Sequence, residues 1–333
     1  MELRYSDSTR ISVLAATLIM TLAAGLAAVS TVCEAQTYPN KPIRIIVPHP
    51  PGGTTDLIAR ILATKMSESI GQPVLIDHKP GGSTMIASAA LAAAPADGYT
   101  LMVHLGQLYT VPMMYKNVPY KVENFVPISL VATVPYSLSV SNTVPVKTPK
   151  ELVAYIRANP GKINYATLGS GGNTHLLGKM LEEIADVRMT DVPYKGSAQA
   201  MIDLMGGRTQ LYFDSITTSI PQFRGGKINI LGVTSAERLP GAPDIPTLTE
   251  QGLQVVGDTW WGVLGPAALP RPVIDRIHSE VVKAVASQDF QSKIIAGGGI
   301  PISSASPEEF ERYISRETEM WAKVIRPLKL QLD

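Results

Sequence analysis

The alternation of apolar and polar residues predicts short buried strands followed by amphipathic helices along most of the chain. The run Ile43–Val47 is rich in β-branched residues and predicts a buried strand. Residues 48–56 contain too much proline and glycine to continue a strand or a helix. Apolar residues then recur at helical spacing between Leu57 and Met66, and Gly71 supplies a stop signal. Together these patterns predict a strand, a glycine turn and a helix.

The same unit follows a second time. Val74–Asp77 predicts another strand, residues 78–83 another glycine loop, and Thr84–Ala93 an alanine-rich helix. Thr100–Val103 predicts the next strand. Two successive strand–loop–helix units favour a parallel sheet whose loops gather at the carboxyl ends of the strands, where open α/β sheets bind their ligands.

The pattern changes near the middle of the chain. Residues 126–141 predict two short strands interrupted at residues 133–136, which we interpret as a crossing between domains. The strand Ile163–Thr167 then leads into a third glycine loop, residues 168–175. Further βα units follow, and the chain is expected to cross back near residues 255–259. We therefore predict two α/β lobes, the first formed by residues 36–134 and 256–333 and the second by residues 135–255.

Two helices have well-marked starts. Thr148 precedes a proline at the first helical position and has Glu151 three residues further on. The final helix begins in the same way, with Ser306 as the cap and Glu309 three residues later. Both patterns predict capping boxes.

Three glycine pairs occupy the predicted helix starts. They are Gly52-Gly53, Gly81-Gly82 and Gly171-Gly172, each flanked by small hydroxyl or amide side chains. Unpaired N–H groups and the positive end of the helix dipole attract an anion there without a lysine or arginine. Donors without a nucleophile or a base favour binding and release of a carboxylate over its conversion. The alternative for any single loop is an ordinary βα turn.

The N-terminus predicts export. Arg4 and Arg10 precede the apolar run Ile11–Val29, which is typical of a secretory signal peptide, residues 1–35, cleaved after Ala35. A single membrane anchor is the alternative. Cleavage would remove Cys33, the one cysteine, and leave no thiol for a disulfide or a metal. We expect a protein of the bacterial periplasm without stable membrane insertion.

Composition and motifs exclude several classes of function. The 333 residues carry a net charge of +1 with no basic tract, so no nucleic-acid partner is expected. The Gly52-Gly53 turn lacks the lysine of a P-loop. The histidines form no i, i+4 pair of a helical zinc site. The sequence therefore predicts no catalytic residues, no metal and no cofactor.

Several motifs in one order resemble a known family. The chain is similar to the periplasmic receptors of tripartite tricarboxylate transporters, often called Bug-type solute-binding proteins. The motifs that carry this resemblance are Tyr38–Val47, Pro51–Asp56, Lys79–Ser83, Ala96–Leu101, Gly169–Leu176 and Val192–Gly196. The resemblance implies a two-lobed α/β fold of the periplasmic-binding-protein type (Venus-flytrap, type II-like) with a ligand cleft between the lobes. It also implies a small carboxylate ligand and inner-membrane transporter subunits as partners.

The resemblance and the glycine loops together nominate the ligand contacts. By position, the resemblance implies contacts in the first lobe from Gly52, Gly53, Thr54 and Thr55. In the second lobe it implies Ser170, Gly171, Gly172, Asn173 and Thr174, with Asp214 and Ser215 nearby. The loop pattern adds Gly82, Ser83 and His175. Asp56 lies in the first turn of the predicted helix, where an acid favours the helix dipole, so we predict a structural role for it and not a ligand contact.

Three aromatic side chains are further candidates. His49 stands where family members often carry an aromatic residue such as phenylalanine, and it either donates to a distal group of the ligand or lines the mouth of the cleft. Tyr194 and Trp260 are candidates for stacking on an aromatic ligand, with ordinary packing as the alternative.

Two other classes of function remain open at this stage. One is a secreted α/β enzyme that acts on a carboxylate substrate through Ser83 or Ser170. The other is a receptor that presents its ligand state to a signalling partner. The sequence leaves the identity of the carboxylate open.

Overall fold

The structure is a computed structural model that describes residues 38–332. The segment predicted as a signal peptide, residues 1–35 with Cys33, lies outside the described residues. Within the described part of the chain, no helix combines the length and the apolar character that a membrane crossing requires.

Ten strands within the described residues join into one continuous sheet. They are β1 (Ile43–Val47), β2 (Val74–His78), β3 (Thr100–Leu105), β4 (Phe125–Ser141), β5 (Asn164–Thr167), β6 (Thr190–Pro193), β7 (Leu211–Ser215), β8 (Ile228–Val233), β9 (Asp258–Pro266) and β10 (Ile300–Pro301). The sheet order is β2-β1-β3-β9-β4-β7-β5-β6, and β8 and β10 also pair with β4.

The α-helices of the described chain connect these strands. They are α1 (Thr54–Ile70), α2 (Met85–Ala92), α3 (Gln107–Thr110), α4 (Pro149–Ala158), α5 (Asn173–Ala185), α6 (Ser197–Met205), α7 (Ile216–Arg224), α8 (Arg271–Ala286), α9 (Gln288–Ala296) and α10 (Pro307–Leu328). Short 3₁₀ turns cover Gly82–Thr84, Val111–Met113 and Val122–Asn124.

The predicted parallel pairing is confirmed on both sides of the sheet. β1 pairs in parallel with β2 and β3, and β5 pairs in parallel with β6 and β7. The loops that follow these strands consequently emerge at the carboxyl ends of parallel strands. This arrangement places loops that are distant in the sequence next to one another.

The prediction of two short strands within residues 126–141 is wrong, because β4 is a single strand of 17 residues. Its first part, Phe125–Pro135, pairs with β9, and its second part, Tyr136–Ser141, pairs with β7 and β8. Pro135 has no N–H to donate. The strand changes partners at that point, so the proline interrupts no continuous ladder of hydrogen bonds.

The helix starts largely follow the sequence patterns. The Thr148 hydroxyl accepts the N–H of Glu151 at 3.2 Å, and the Ser306 hydroxyl accepts the N–H of Glu309 at 3.2 Å, as predicted. The helix predicted from Thr84 begins one residue later. The reason is the backbone of the preceding turn, since Ser83 and Thr84 both have positive φ angles of 48° and 74°.

The apolar face of each helix is buried against the sheet. In α1, Ile58, Ile61, Leu62 and Met66 are buried, and the helix ends at Gly71 with a φ of 68°. A large apolar cluster surrounds β4, β5 and α5. These contacts hold the starts of the helices in fixed positions at the edge of the sheet.

Candidate functional site

Two spaces lie at the carboxyl ends of the parallel strands. The inner cavity has a volume of about 30 Å³. The outer cleft has a volume of about 250 Å³. His49 and Leu168 line both, so these two residues form a common wall between the two spaces.

Three helix starts reach the inner cavity. Gly53, Thr54 and Thr55 line it from the start of α1, Ser197 from the start of α6, and Ser215 from the start of α7. No side chain caps any of these three helices. The first N–H groups of a helix have no partner within the helix, so each start offers hydrogen-bond donors and a positive dipole end. The remaining lining residues are His49, Leu105, Tyr136, Leu168, Asp214 and Trp261.

Hydroxyl contacts join the start of α1 to the start of α7. Thr54 Oγ1 donates to Ser215 Oγ at 2.9 Å and lies 2.5 Å from Thr217 Oγ1. The start of α6 lies beside the start of α1, since a Cβ on Gly53 would be in ordinary van der Waals contact with Ser197 Cβ at 3.7 Å. Gly196 has even less room, because a Cβ there would lie 2.5 Å from Pro50 Cγ.

Asp214 is the one carboxylate among the residues that line the inner cavity, and it is 1% exposed. Its carboxylate accepts hydrogen bonds from Ser197 Oγ at 2.7 Å, Thr218 Oγ1 at 2.5 Å and Ser219 Oγ at 3.1 Å. Burial raises the pKa of Asp214, and the hydroxyl donors act in the opposite direction. The carboxylate therefore holds Ser197 in place at the start of α6.

His49 is buried and has one free ring nitrogen. Its Nδ1 lies 3.1 Å from Thr55 Oγ1, which also accepts the indole N–H of Trp261 at 2.9 Å. Among the described residues, its Nε2 has no hydrogen-bond partner. Burial lowers the pKa of His49 from 6.5 to about 4, so the imidazole is neutral at pH 7.

The outer cleft is built on a strained turn. Four successive residues, Gly81 to Thr84, have positive φ angles, and two of them are not glycine. The Ser83 hydroxyl and the Tyr115 hydroxyl donate to the Ser170 carbonyl oxygen at 3.1 Å and 3.0 Å. The turn after β2 is thereby joined to the loop after β5. The cleft is lined by Pro48, His49, Gly81, Gly82, Ser83, Thr84, Tyr115, Leu168, Gly169, Ser170, Pro193, Tyr194 and Lys195.

The structure brings ten of the nominated residues to these two spaces. They are His49, Gly53, Thr54, Thr55, Gly82, Ser83, Ser170, Tyr194, Asp214 and Ser215. Gly52 lines a separate groove of about 510 Å³ beside α1, and its N–H donates to the Asp56 carboxylate at 3.0 Å. Asp56 also accepts from Arg60 and contacts His78, so it supports this turn.

Five nominated residues lie outside both spaces, namely Gly171, Gly172, Asn173, Thr174 and His175. The Gly171 N–H donates to His175 Nδ1 at 2.9 Å, and the Leu168 N–H donates to Thr174 Oγ1 at 2.8 Å. The His175 ring stacks on Tyr165. The polar groups of Gly171, Thr174 and His175 are used within the loop, which shapes Leu168 to Ser170 at the edge of the outer cleft. Asn173 Oδ1 is buried and has no hydrogen-bond partner among the described residues.

The stacking candidates differ in position. Tyr194 lines the outer cleft and donates to Asp203 at 2.8 Å. Trp260 is 2% exposed and packs edge-on against Phe310, away from both spaces. Its neighbour Trp261 lines the inner cavity instead, because successive residues of a strand point to opposite faces.

Three residues that line these spaces were not predicted from the sequence, namely Trp261, Leu168 and Ser197. For Ser197 a signal was present, since Gly196 and Ser197 start a helix directly after a strand, as Gly53 and Thr54 do. For Trp261 and Leu168 the contacts depend on how distant segments meet.

The fold and the site together define a binding protein with a donor-lined cleft at the strand ends. The solved structure of the periplasmic binding protein BugD is 33% identical, with a TM-score of 0.85 and coverage of 88% of this chain and 99% of that chain. A structure of an R. palustris protein with adipate is 32% identical, with a TM-score of 0.83 and coverage of 86% and 97%. These neighbours are two-lobed periplasmic binding proteins, and the predicted fold class is confirmed.

The family follows from the sequence comparisons. The family model described as the tripartite tricarboxylate transporter family receptor matches residues 58–330. A relative from Pseudomonas sp. (strain P51), the UPF0065 protein in the tcbD-tcbE intergenic region, is 37% identical over 301 residues, which is 89% of each chain. The chain belongs to the family of tripartite tricarboxylate transporter receptors. Because its members are receptors and not enzymes, the prediction of a non-catalytic protein is confirmed.

Proposed function

We propose that this protein captures a small carboxylate in the periplasm and delivers it to the membrane subunits of a tripartite transporter. The observation that carries the proposal is the meeting of three uncapped helix starts, those of α1, α6 and α7, at the inner cavity. Each offers N–H donors and a positive dipole end, and the lining residues include no lysine or arginine. Such a site suits an anion held by the main chain.

The volumes suggest how a ligand would be divided between the two spaces. The inner cavity of about 30 Å³ has room for one small polar group, comparable to one or two waters. The outer cleft of about 250 Å³ would take the rest of the molecule. We therefore place one carboxylate group at the helix starts and direct the carbon chain past His49 and Leu168. The adipate bound to the R. palustris neighbour supports a ligand of this class.

The pairing of β4 supports the predicted lobes. Its partner changes from β9 to β7 and β8 between Pro135 and Tyr136, next to the boundary predicted at residues 134 and 135. The chain would re-enter the first lobe on β9. This strand begins at Asp258, close to the boundary predicted at residues 255 and 256. We propose that these two crossings are the hinge on which the lobes close around the ligand.

Binding can be tested with matched ligands. Isothermal titration of the purified protein with a panel of mono-, di- and tricarboxylates should show saturable binding of at least one member. Dimethyl adipate keeps the carbon chain of adipate but lacks its charges, and it should not bind. Failure of every carboxylate in the panel, or equal binding of adipate and its dimethyl ester, would contradict the proposed function.

The cellular location can be tested separately. Members of the family are periplasmic binding proteins, and residues 1–35 are proposed to be the export signal of this one. After expression of the full chain in a Gram-negative bacterium, the protein recovered from the periplasmic fraction should begin at Gln36. Retention in the membrane with an intact N-terminus would instead support an anchor.

A further inference from the structure

His49 has the features of a ligand contact that the protein itself does not satisfy. Its side chain is 6% exposed, lines both the inner cavity and the outer cleft, and leaves Nε2 without a partner in the part of the chain that the structure describes. Buried polar atoms in folded proteins nearly always have a hydrogen-bond partner. The free nitrogen therefore points to a partner that enters from one of the two spaces.

The proton on the imidazole can be placed from the surrounding hydrogen bonds. The indole of Trp261 is a donor only, and it donates to Thr55 Oγ1. Within residues 38–332, Trp261 and His49 are the hydrogen-bond partners of that oxygen. The one Thr55 hydroxyl proton then donates to His49 Nδ1. In the ligand-free protein, the opposite tautomer would leave the buried Thr55 proton without an acceptor among the described residues.

This chain of donors runs from Trp261 through Thr55 to His49 and ends at Nε2–H. Because burial keeps the imidazole neutral at pH 7, Nε2 presents a single uncharged N–H group. The α1 start that carries Thr55 also supplies main-chain donors to the inner cavity. A first carboxylate at the helix starts is already provided with donors, which leaves Nε2–H for a second acceptor on the same ligand.

We propose that His49 is a specificity-determining residue whose Nε2–H, held in place by Thr55 and Trp261, donates to the second carboxylate of a dicarboxylate ligand. The inference rests on the proposed function and narrows its ligand class. The exposed Lys195 lines the same outer cleft and adds a positive charge on the side where that second carboxylate would lie. Thr55 and Trp261 act through His49 as positioning residues.

The tautomer can be measured in the ligand-free protein. Long-range ¹H–¹⁵N spectra of ¹⁵N-histidine-labelled protein, with His49→Phe used for assignment, should show Nε2 protonated and Nδ1 unprotonated. The Nε2–H form should be in at least about tenfold excess. Thr55→Val should reduce this excess, and Thr55→Ser, which keeps the hydroxyl, should retain it. A dominant Nδ1–H form in the unchanged protein would overturn the inference without any ligand.

The effect on specificity can be measured with adipate and hexanoate, which have the same chain length but two and one carboxylates. His49→Phe should lower the affinity for adipate about tenfold or more and change that for hexanoate by less than about threefold. His278→Gln is the matched control, because its Nε2 contacts the Ser304 carbonyl far from both spaces, and it should leave both affinities unchanged. Equal losses for adipate and hexanoate in His49→Phe would overturn the inference.

The two possible failures can be told apart. If no carboxylate of the panel binds the unchanged protein, the proposed function fails, and this inference fails with it whatever the tautomer of His49. If carboxylates bind but His49→Phe leaves the ratio of adipate to hexanoate affinity unchanged, the proposed function stands and only the role of His49 is wrong.

Discussion

The first and third glycine loops have the same sequence pattern but different surroundings. The first loop, residues 48–55, and the third loop, residues 168–175, each follow a parallel strand and end in an uncapped helix that begins after Gly53 or Gly172. In the first loop, the residues at the helix start line the inner cavity. In the third, the residues at the helix start lie outside both spaces, and only Leu168, Gly169 and Ser170 reach the cleft.

The difference comes from what packs against each glycine pair. In the third loop, a Cβ on Gly171 would lie 3.1 Å from Met114 Cε, and a Cβ on Gly172 would lie 3.0 Å from Gln107 Nε2. These side chains cover the start of α5. In the first loop, Ser197 and Ala198 lie beside the glycines, but the cavity remains open to Gly53, Thr54 and Thr55. A glycine pair at a helix start is therefore a possible anion site only where no side chain covers it.

The largest effect is expected in the pH dependence of stability. The first loop carries His49 and the third loop carries His175, so the two loops can be compared by replacing each histidine. The pKa of His49 is lowered by burial from 6.5 to about 4. Above pH 6.5 this histidine is neutral in both the folded and the unfolded chain, so it contributes no pH dependence. Between pH 6.5 and pH 4 only the unfolded chain takes up the proton. The folded state should therefore lose about 3 kcal/mol over this range.

Denaturant unfolding at several pH values checks this prediction. His49→Phe should remove most of that loss. Burial also lowers the pKa of His175, but Asp191 and Glu182 raise it, so His175→Phe should remove less. Buried His104 and Asp258 also titrate in acid, the pKa of Asp258 being raised to about 6, and each variant is therefore compared with the unchanged protein. An equal or larger effect of His175→Phe would contradict the comparison.

The next largest effect is expected from proline at the two helix starts. Gly53→Pro removes an N–H donor at the inner cavity and should weaken adipate binding at least about tenfold. Gly172→Pro removes an N–H that donates to the Gly169 carbonyl at 3.2 Å. It should destabilise the protein but change its affinity by less than about threefold. Titration of both variants, with thermal unfolding to show that they are folded, tests the pair; equal losses of affinity would place both loops at the ligand.

The smallest effect is expected from removing one hydroxyl in each loop. Thr54→Val removes the contacts to Ser215 and Thr217, and Thr174→Val removes the acceptor for the Leu168 N–H. Each should cost about 1 kcal/mol in the free energy of unfolding. Only Thr54→Val should also reduce adipate affinity, by about threefold. If Thr174→Val reduced the affinity for adipate more than Thr54→Val did, the loop after β5 would contribute more to ligand binding than the loop after β1.

Much of the fold could be predicted from local patterns. The strand and helix at the start of the first unit, the parallel pairing of β1 with β2, and the capped starts of α4 and α10 all agree with the sequence analysis. The single strand β4 could not be predicted, because Pro135 locally indicates an interruption and is accommodated where the strand changes partners from β9 to β7. That exchange depends on β9, which lies more than a hundred residues further along the chain.

The residue types and spacings alone determined where strands end, where helices begin and which turns contain glycine pairs, because these depend on interactions within a few residues. Only the tertiary structure decided that Trp261 and not Trp260 reaches the inner cavity, and that Thr55 contacts both His49 and Trp261, the latter 206 positions further along the sequence. Side chains such as Met114 and Gln107 cover one glycine pair and not the other. The reason is that exposure of a helix start depends on segments that only the folded chain brings together.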